Sequence, residues 1–217
     1  EVRLNRLRDD IELLAKGDAG DEALAPFWRE IIALDGAHPE ALTVLERVAR
    51  EASDIRELVD VLRRRADSSE DPAMARRLRI EMAQILGDAS GEEDEAIGLF
   101  HSLLMDAPED LMVFEQLASL YRRMERWLDL AELLKGQLQR TPDAEERGDW
   151  NRELSLMSWQ VFEDAARAVA HARATLLDSE DDDTAVALLV TIGVAGREPQ
   201  AVLELLEPVY ERAGDDA

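Results

Sequence analysis

The chain contains no cysteine, which removes disulfides, thiolate nucleophiles and thiolate metal ligands from the possible chemistry. Lysine is almost missing too. Of 25 basic residues only Lys16 and Lys135 are lysines, so the positive charge sits on planar guanidinium groups suited to two-pronged pairing with carboxylates. Aromatics make up 5% of the sequence, with 11 Gly and 7 Pro in 217 residues, and strand-like runs of Val, Ile and Thr are scarce; this argues against a sheet protein. No apolar run approaches the roughly 18 residues of a membrane span, and the first stretch, "EVRLNRLRDDIELLAKG", is charged throughout, unlike a signal peptide. Membrane insertion is therefore not expected, and the cytoplasm is the favoured location. There is no Gly-rich phosphate loop and no GxSxG nucleophile elbow.

What is present in excess is acid. With 49 Asp and Glu the formal net charge is −24, which repels a phosphate backbone and speaks against nucleic acid as a partner. The hydrophobic share of 46% is ample for a core. The abundance of Ala, Leu, Glu and Arg favours helices, where these residues lose little rotamer freedom. Apolar residues recur at three- and four-residue spacing in stretches bounded by Gly, Asp, Pro or Ser, predicting twelve helices at about 2–16, 21–34, 39–51, 54–67, 72–87, 93–105, 110–124, 126–140, 143–159, 162–177, 183–194 and 198–213. Short connectors force neighbours to run antiparallel. The expectation is one all-α domain of six hairpins: 2–34, 39–67, 72–105, 110–140, 143–177 and 183–213. The chain lacks an initiator Met, begins inside apolar periodicity at Val2 or Leu4, and stops at "ERAGDDA", where another hairpin could follow. A segment of a longer protein is expected.

A repeat runs through these helices. Leu42, Leu45, Ala49, Ile55, Leu58 and Leu62 align with Phe114, Leu117, Tyr121, Trp127, Leu130 and Leu134 at a constant offset of 72 residues. The same offset places Asp71 on Asp143, Leu78 on Trp150, Met82 on Leu154 and Ile85 on Met157. Two hairpins of about 36 residues fill each period, within the range of known helical repeats. Phe114, Leu117, Ala118 and Tyr121, followed by Trp127, Leu130, Leu134 and Pro142, resemble the tetratricopeptide repeat, as do Ala96, Phe100 and Pro108. Glu46 departs from the pattern, standing where the repeat wants a small residue. The resemblance implies an α-solenoid with a right-handed superhelical course, its first helices lining a concave face and its second helices lying outside.

Few residues carry chemistry. His38, His101 and His171 stand far apart without metal-ligand spacing, His38 reading as a solvated or capping residue and the others as helix-face residues. The acidic runs at 92–95 and 180–183 lack the ligand spacing of a calcium loop and read as solvated helix starts. Trp150 is expected between hairpins, and Trp159 either over the next turn or facing the groove. No nucleophile, base and orienting group can be assembled, so a non-catalytic protein without cofactor or metal is expected. The resemblance puts Arg47, Arg50, Arg76, Arg79, Arg122 and Arg123 on the concave face, where they would grip an acidic or carboxylate-bearing peptide. The competing reading of the same arginines is interhelix salt bridges. The expected function is a protein- or peptide-binding scaffold; the alternative is a spacer or self-association unit in a larger helical-repeat protein.

Overall fold

The computed structural model describes residues 2–17 and 19–215. Twelve α-helices and no strands are found among the described residues: α1 (Val2–Ala15), α2 (Asp21–Leu34), α3 (Pro39–Ala52), α4 (Ile55–Ser68), α5 (Pro72–Asp88), α6 (Glu93–Asp106), α7 (Leu111–Arg123), α8 (Trp127–Leu138), α9 (Ala144–Gln160), α10 (Ala165–Asp178), α11 (Asp183–Val194) and α12 (Pro199–Asp215). Each predicted segment is a helix. The architecture is an all-α array in which helices pack on their sequence neighbours. None of these helices is long and apolar enough to cross a membrane.

The helix starts follow from short polar side chains. Asp54, Asp71, Asp143, Asp164 and Asp182 each accept a hydrogen bond from a backbone N–H in the first turn, at 2.8–3.0 Å, satisfying donors that have no partner inside the helix. Pro39 and Pro72 follow their caps at the first helical position, where a missing N–H costs nothing. The largest boundary shift is at α10, which starts three residues after its predicted position. Its cap is Asp164, and Val161 to Asp164 turn the chain, with Glu163 left-handed at φ 54°.

The chain divides into two compact units, Glu1–Leu120 and Tyr121–Ala217. In the first, consecutive helices from α1 to α6 pack pairwise around Leu24, Trp28, Ile31, Leu42, Leu45 and Val61, and further along around Leu62, Met82, Phe100 and Leu117. In the second, α9 and α10 form a close pair and α11 and α12 add to it, with Ala168, Ala172, Leu189, Ile192 and Val202 at the centre.

The 72-residue repeat is written in the backbone as well as in the side chains. Ser53 and Glu125 both adopt φ 55° at hairpin turns, and Asp54 N–H and Arg126 N–H each close the preceding helix by donating to Ala49 O and Tyr121 O at 2.9 Å. This is one helix-terminating device used twice. Leu42, Leu45, Ala49, Leu58 and Leu62 are buried, as are Phe114, Leu117, Tyr121, Leu130 and Leu134. Ile55 departs from the expected packing code: it is 38% exposed, because as the first residue of α4, directly after the Asp54 cap, it has no preceding turn to cover it. Trp150 is buried as expected, and Trp159 packs against the α10–α11 core, which favours covering its neighbours over facing a groove.

Candidate functional site

The six arginines singled out from the sequence lie on α3, α5 and α7. In the first unit, Arg47 pairs with Asp21 at the start of α2. Arg50 Nη2 donates to Glu46 Oε1 at 2.8 Å and to Glu81 Oε1 of α5 at 2.5 Å. Arg76 reaches Asp110 Oδ2 at 2.6 Å and Leu103 O at 3.2 Å. Arg79 is the loosest, 3.7 Å from Asp67 with both side chains well exposed. In the second unit, Arg122 grips Glu153 of α9 two-pronged at 2.7 Å on each oxygen. Arg123 is exposed at the end of α7. Arg47, Arg50, Arg76, Arg79 and Arg122 are therefore in ion pairs with neighbouring elements, as the competing reading of these residues expects.

Those pairs follow the repeat. Arg50–Glu81 and Arg122–Glu153 are separated by 31 residues each, and one pair becomes the other on adding 72 to both numbers. Both join the first helix of one hairpin to the first helix of the next, α3 to α5 and α7 to α9. Similar spans occur between second helices, with Arg29 on Glu57 at 2.5 and 2.7 Å joining α2 to α4 and Arg63 on Glu95 at 2.6 Å joining α4 to α6. Glu46, the misfit of the repeat, has a reason here: it is half-buried and receives both Arg50 and Arg65. A small residue in its place would leave Arg65 without that partner.

Sequence reasoning missed a second periodic device. His38, Asp110 and Asp182 stand 72 residues apart, each directly ahead of a first helix. His38 Nδ1 accepts from Ala41 N–H at 3.3 Å, Asp110 Oδ1 from Val113 N–H at 3.1 Å, and Asp182 Oδ1 from Ala185 N–H at 2.8 Å. The two aspartate caps are also held by an arginine from an earlier helix, Arg76 on Asp110 and Arg152 on Asp182 at 2.5 and 2.9 Å, while the Arg8 guanidinium lies 2.8 Å from His38 Nε2. His38 is a buried cap and not a solvated residue. The signal available in the sequence was the shared register of 38, 110 and 182, obscured because one of the three is His.

These contacts set the local electrostatics. Burial pushes the Asp110 and Asp182 carboxyls up, but the arginine hydrogen bond, a first-turn N–H and the arginine charge outweigh it and hold both below the ordinary carboxylate value. On α10, burial and then the charges of Lys135 and Arg167 hold His171 below the ordinary histidine value, and its Nδ1 lies 3.0 Å from Asn151 Oδ1. The acidic runs are used in two ways: Glu92 and Glu95 pair with Arg56 and Arg63 of α4, and Asp182 caps α11.

The ladder makes a graded prediction. Arg122→Ala removes a two-pronged, partly shielded pair and is expected to cost about 1 kcal/mol, whereas Arg79→Ala is expected to cost under about 0.5 kcal/mol. Urea denaturation of the two variants checks this, and equal losses would refute the ranking.

The chain matches no protein-family model and no curated protein.

Proposed function

We propose that the chain is a tetratricopeptide-like, non-catalytic scaffold that binds a protein or peptide partner along its first helices. The observation that carries this reading is the repeated ion-pair ladder between successive hairpins, seen at Arg50–Glu81 and again at Arg122–Glu153. Each rung is weak by itself, yet rungs recurring at the 72-residue period, together with Arg29–Glu57 and Arg63–Glu95 between second helices, restrain the spacing of the hairpins they join. A surface with fixed spacing loses little entropy when it takes up an extended or helical segment. The first unit has open clefts where successive hairpins meet, one of about 340 Å³ among α3, the end of α4 and α5, and one of about 560 Å³ among the end of α4, α5 and the end of α6. A recognition face made of clefts at repeat spacing suits a peptide better than a small substrate, which calls for an enclosed pocket with converging polar groups.

The acidic-peptide form of this reading has less support than the scaffold itself. Arg47, Arg50, Arg76 and Arg122 already have carboxylate partners, and an acidic ligand would have to compete with them.

Panning a random displayed-peptide library against the immobilised protein tests the proposal. A scaffold yields an enriched consensus, and hydrogen exchange with the selected peptide shows protection on α3 and α5. Failure to enrich any peptide would remove the reading.

A further inference from the structure

The connectors joining successive hairpins of the first unit lie side by side. The 340 Å³ cleft brings Ala37 and Pro39 at the start of α3 against Ser69 and Met74 at the start of α5. The 560 Å³ cleft brings Ser69 and Pro72 against Leu103 and Asp106 at the end of α6. Ser69 borders both, so the clefts adjoin along one edge. The α6–α7 connector is tied to the same place by Arg76, which binds Leu103 O and Asp110.

This edge is apolar where solvent would ordinarily select polar residues. Met105 is 82% exposed, Met112 52%, Leu34 45%, Met74 41% and Leu111 38%, and all five lie in or beside the three connectors. Methionine is pliant and polarizable, which suits a surface that moulds to another chain. Exposed apolar residues gathered in one region mark interaction sites more often than ones scattered singly.

Charge selects the occupant. The stretches 34–40, 67–74 and 105–112 carry eight carboxylates and no Lys or Arg. Four of these acids have structural work: Asp35 accepts from Ala37 N–H, Asp67 lies near Arg79, Asp71 caps α5, and Asp110 is taken by Arg76 and Val113 N–H. Glu40, Glu70, Asp106 and Glu109 are exposed and have no ion pair with any described residue. Three cations line the clefts: Arg65 pairs with Glu46 and Arg76 with Asp110, and the more exposed Arg79 lies 3.7 Å from Asp67, so carboxylates outnumber cations along the edge. An acidic peptide or an anionic lipid surface is repelled here, and a second copy of a chain with net charge −24 is repelled as well.

We infer that this edge of the first unit docks a cationic amphipathic segment of another protein, with Lys or Arg interleaved among large apolar side chains. The apolar side chains enter the clefts beside Met74 and pack on the exposed Met105 and Met112, and the cations meet Glu40, Glu70, Asp106 and Glu109, their methylene stems lying along the methionines. The inference rests on the scaffold reading and specifies its partner class.

The probe is a fluorescein-labelled helical peptide of Lys and Leu with its leucines on one face, followed by anisotropy at about 0.1 M salt. Controls are a Lys–Ser peptide of equal charge and a Glu–Leu peptide. The Glu40→Gln/Glu70→Gln/Asp106→Asn/Glu109→Gln variant is expected to bind the Lys–Leu peptide about tenfold more weakly, since it removes the charges that meet the ligand. The Glu145→Gln/Glu163→Gln/Glu207→Gln/Glu211→Gln variant, with the same charge change on exposed residues of the second unit, is expected to lose less than about twofold. Met105→Ser/Met112→Ser is expected to weaken binding about fivefold at unchanged charge. All these positions are exposed, and circular dichroism verifies that each variant folds. Equal weakening by the two quadruple variants, equal affinity for Lys–Ser and Lys–Leu peptides, or no binding of the Lys–Leu peptide would each overturn the inference. The library selection separates the two levels: an enriched consensus without cationic character overturns this inference and leaves the scaffold reading standing.

Discussion

Asp182→Ala is expected to destabilise the second unit by about 3 kcal/mol, from roughly 1 for the lost helix cap and the rest for stranding the cation of a shielded pair. The Asp182 side chain is 8% exposed. Its Oδ1 accepts from Ala185 N–H, and its Oδ2 accepts two hydrogen bonds from Arg152. Without the carboxylate, Arg152 keeps only Asp149, at 2.6 Å and 60% exposed. Asp182→Asn retains a capping oxygen and loses the charge, so its cost is expected to fall between wild type and Ala. The pH dependence gives an independent reading. The folded carboxyl titrates below its ordinary value, with the Arg152 hydrogen bond, Ala185 N–H and the Arg152 charge overcoming burial. The unfolded state therefore takes up the proton first, at about pH 4, so the ion-pair contribution is complete above that pH and is lost as the pH falls through the depressed folded value. Wild type and Asp182→Ala should differ fully in urea denaturation at neutral pH and approach each other in acid. A gap that stays constant as the pH falls would show that the charge contributes nothing.

Asp182 also marks the limit of what the sequence reveals. Helix positions were legible because apolar spacing and Asp or Pro punctuation act locally, and the 72-residue offset was legible because core residues repeat their type: Leu45 with Leu117, Leu62 with Leu134. The hold of Arg152 on Asp182 was not. It joins residues 30 apart through a geometry that exists only once α9 lies beside the start of α11, and its counterpart 144 residues earlier is His38, a different residue doing the same capping. For the arginines the sequence left two readings open, a groove row and interhelix salt bridges, since an exposed guanidinium and a paired one look alike in a sequence; the partners themselves appear only in the fold. Glu46 illustrates the converse: it breaks the repeat's small-residue rule, and Arg50 and Arg65 on either side explain why the acid is tolerated there. The edge formed by Met74, Met105 and Met112 was hidden for another reason. Each methionine sits at the end of a helix, where apolar periodicity cannot distinguish a core residue from an exposed one.

The α9–α10 pair was the least legible helix contact, and it gives the second large expected effect. Asn151, Ser155 and Ser158 on α9 and Thr175 on α10 are all buried, though their residue types read as surface. The close approach of the two helices accounts for this. Ala168 and Ala172 are fully enclosed, and Ser155 Oγ donates to Ala168 O at 2.6 Å, a bond that a larger side chain along this seam would not leave room for. The buried polar groups are satisfied as a set, with Asn151 Nδ2 donating to Arg147 O, Asn151 Oδ1 near His171 Nδ1, and Thr175 Oγ1 donating to His171 O. Ala172→Leu forces three more carbons into this seam. It is expected to cost about 3 kcal/mol, at the upper end of overpacking because separating the helices also breaks hydrogen bonds between buried groups. Ala170→Leu, two residues away on the exposed face of the same helix, should change stability by less than about 0.5 kcal/mol. Urea denaturation followed by circular dichroism compares the two. If Ala172→Leu unfolds at the same midpoint as Ala170→Leu, small residues are not what sets the separation of α9 and α10, and the polar seam must be held by the Arg147–Asp178 pair at its end.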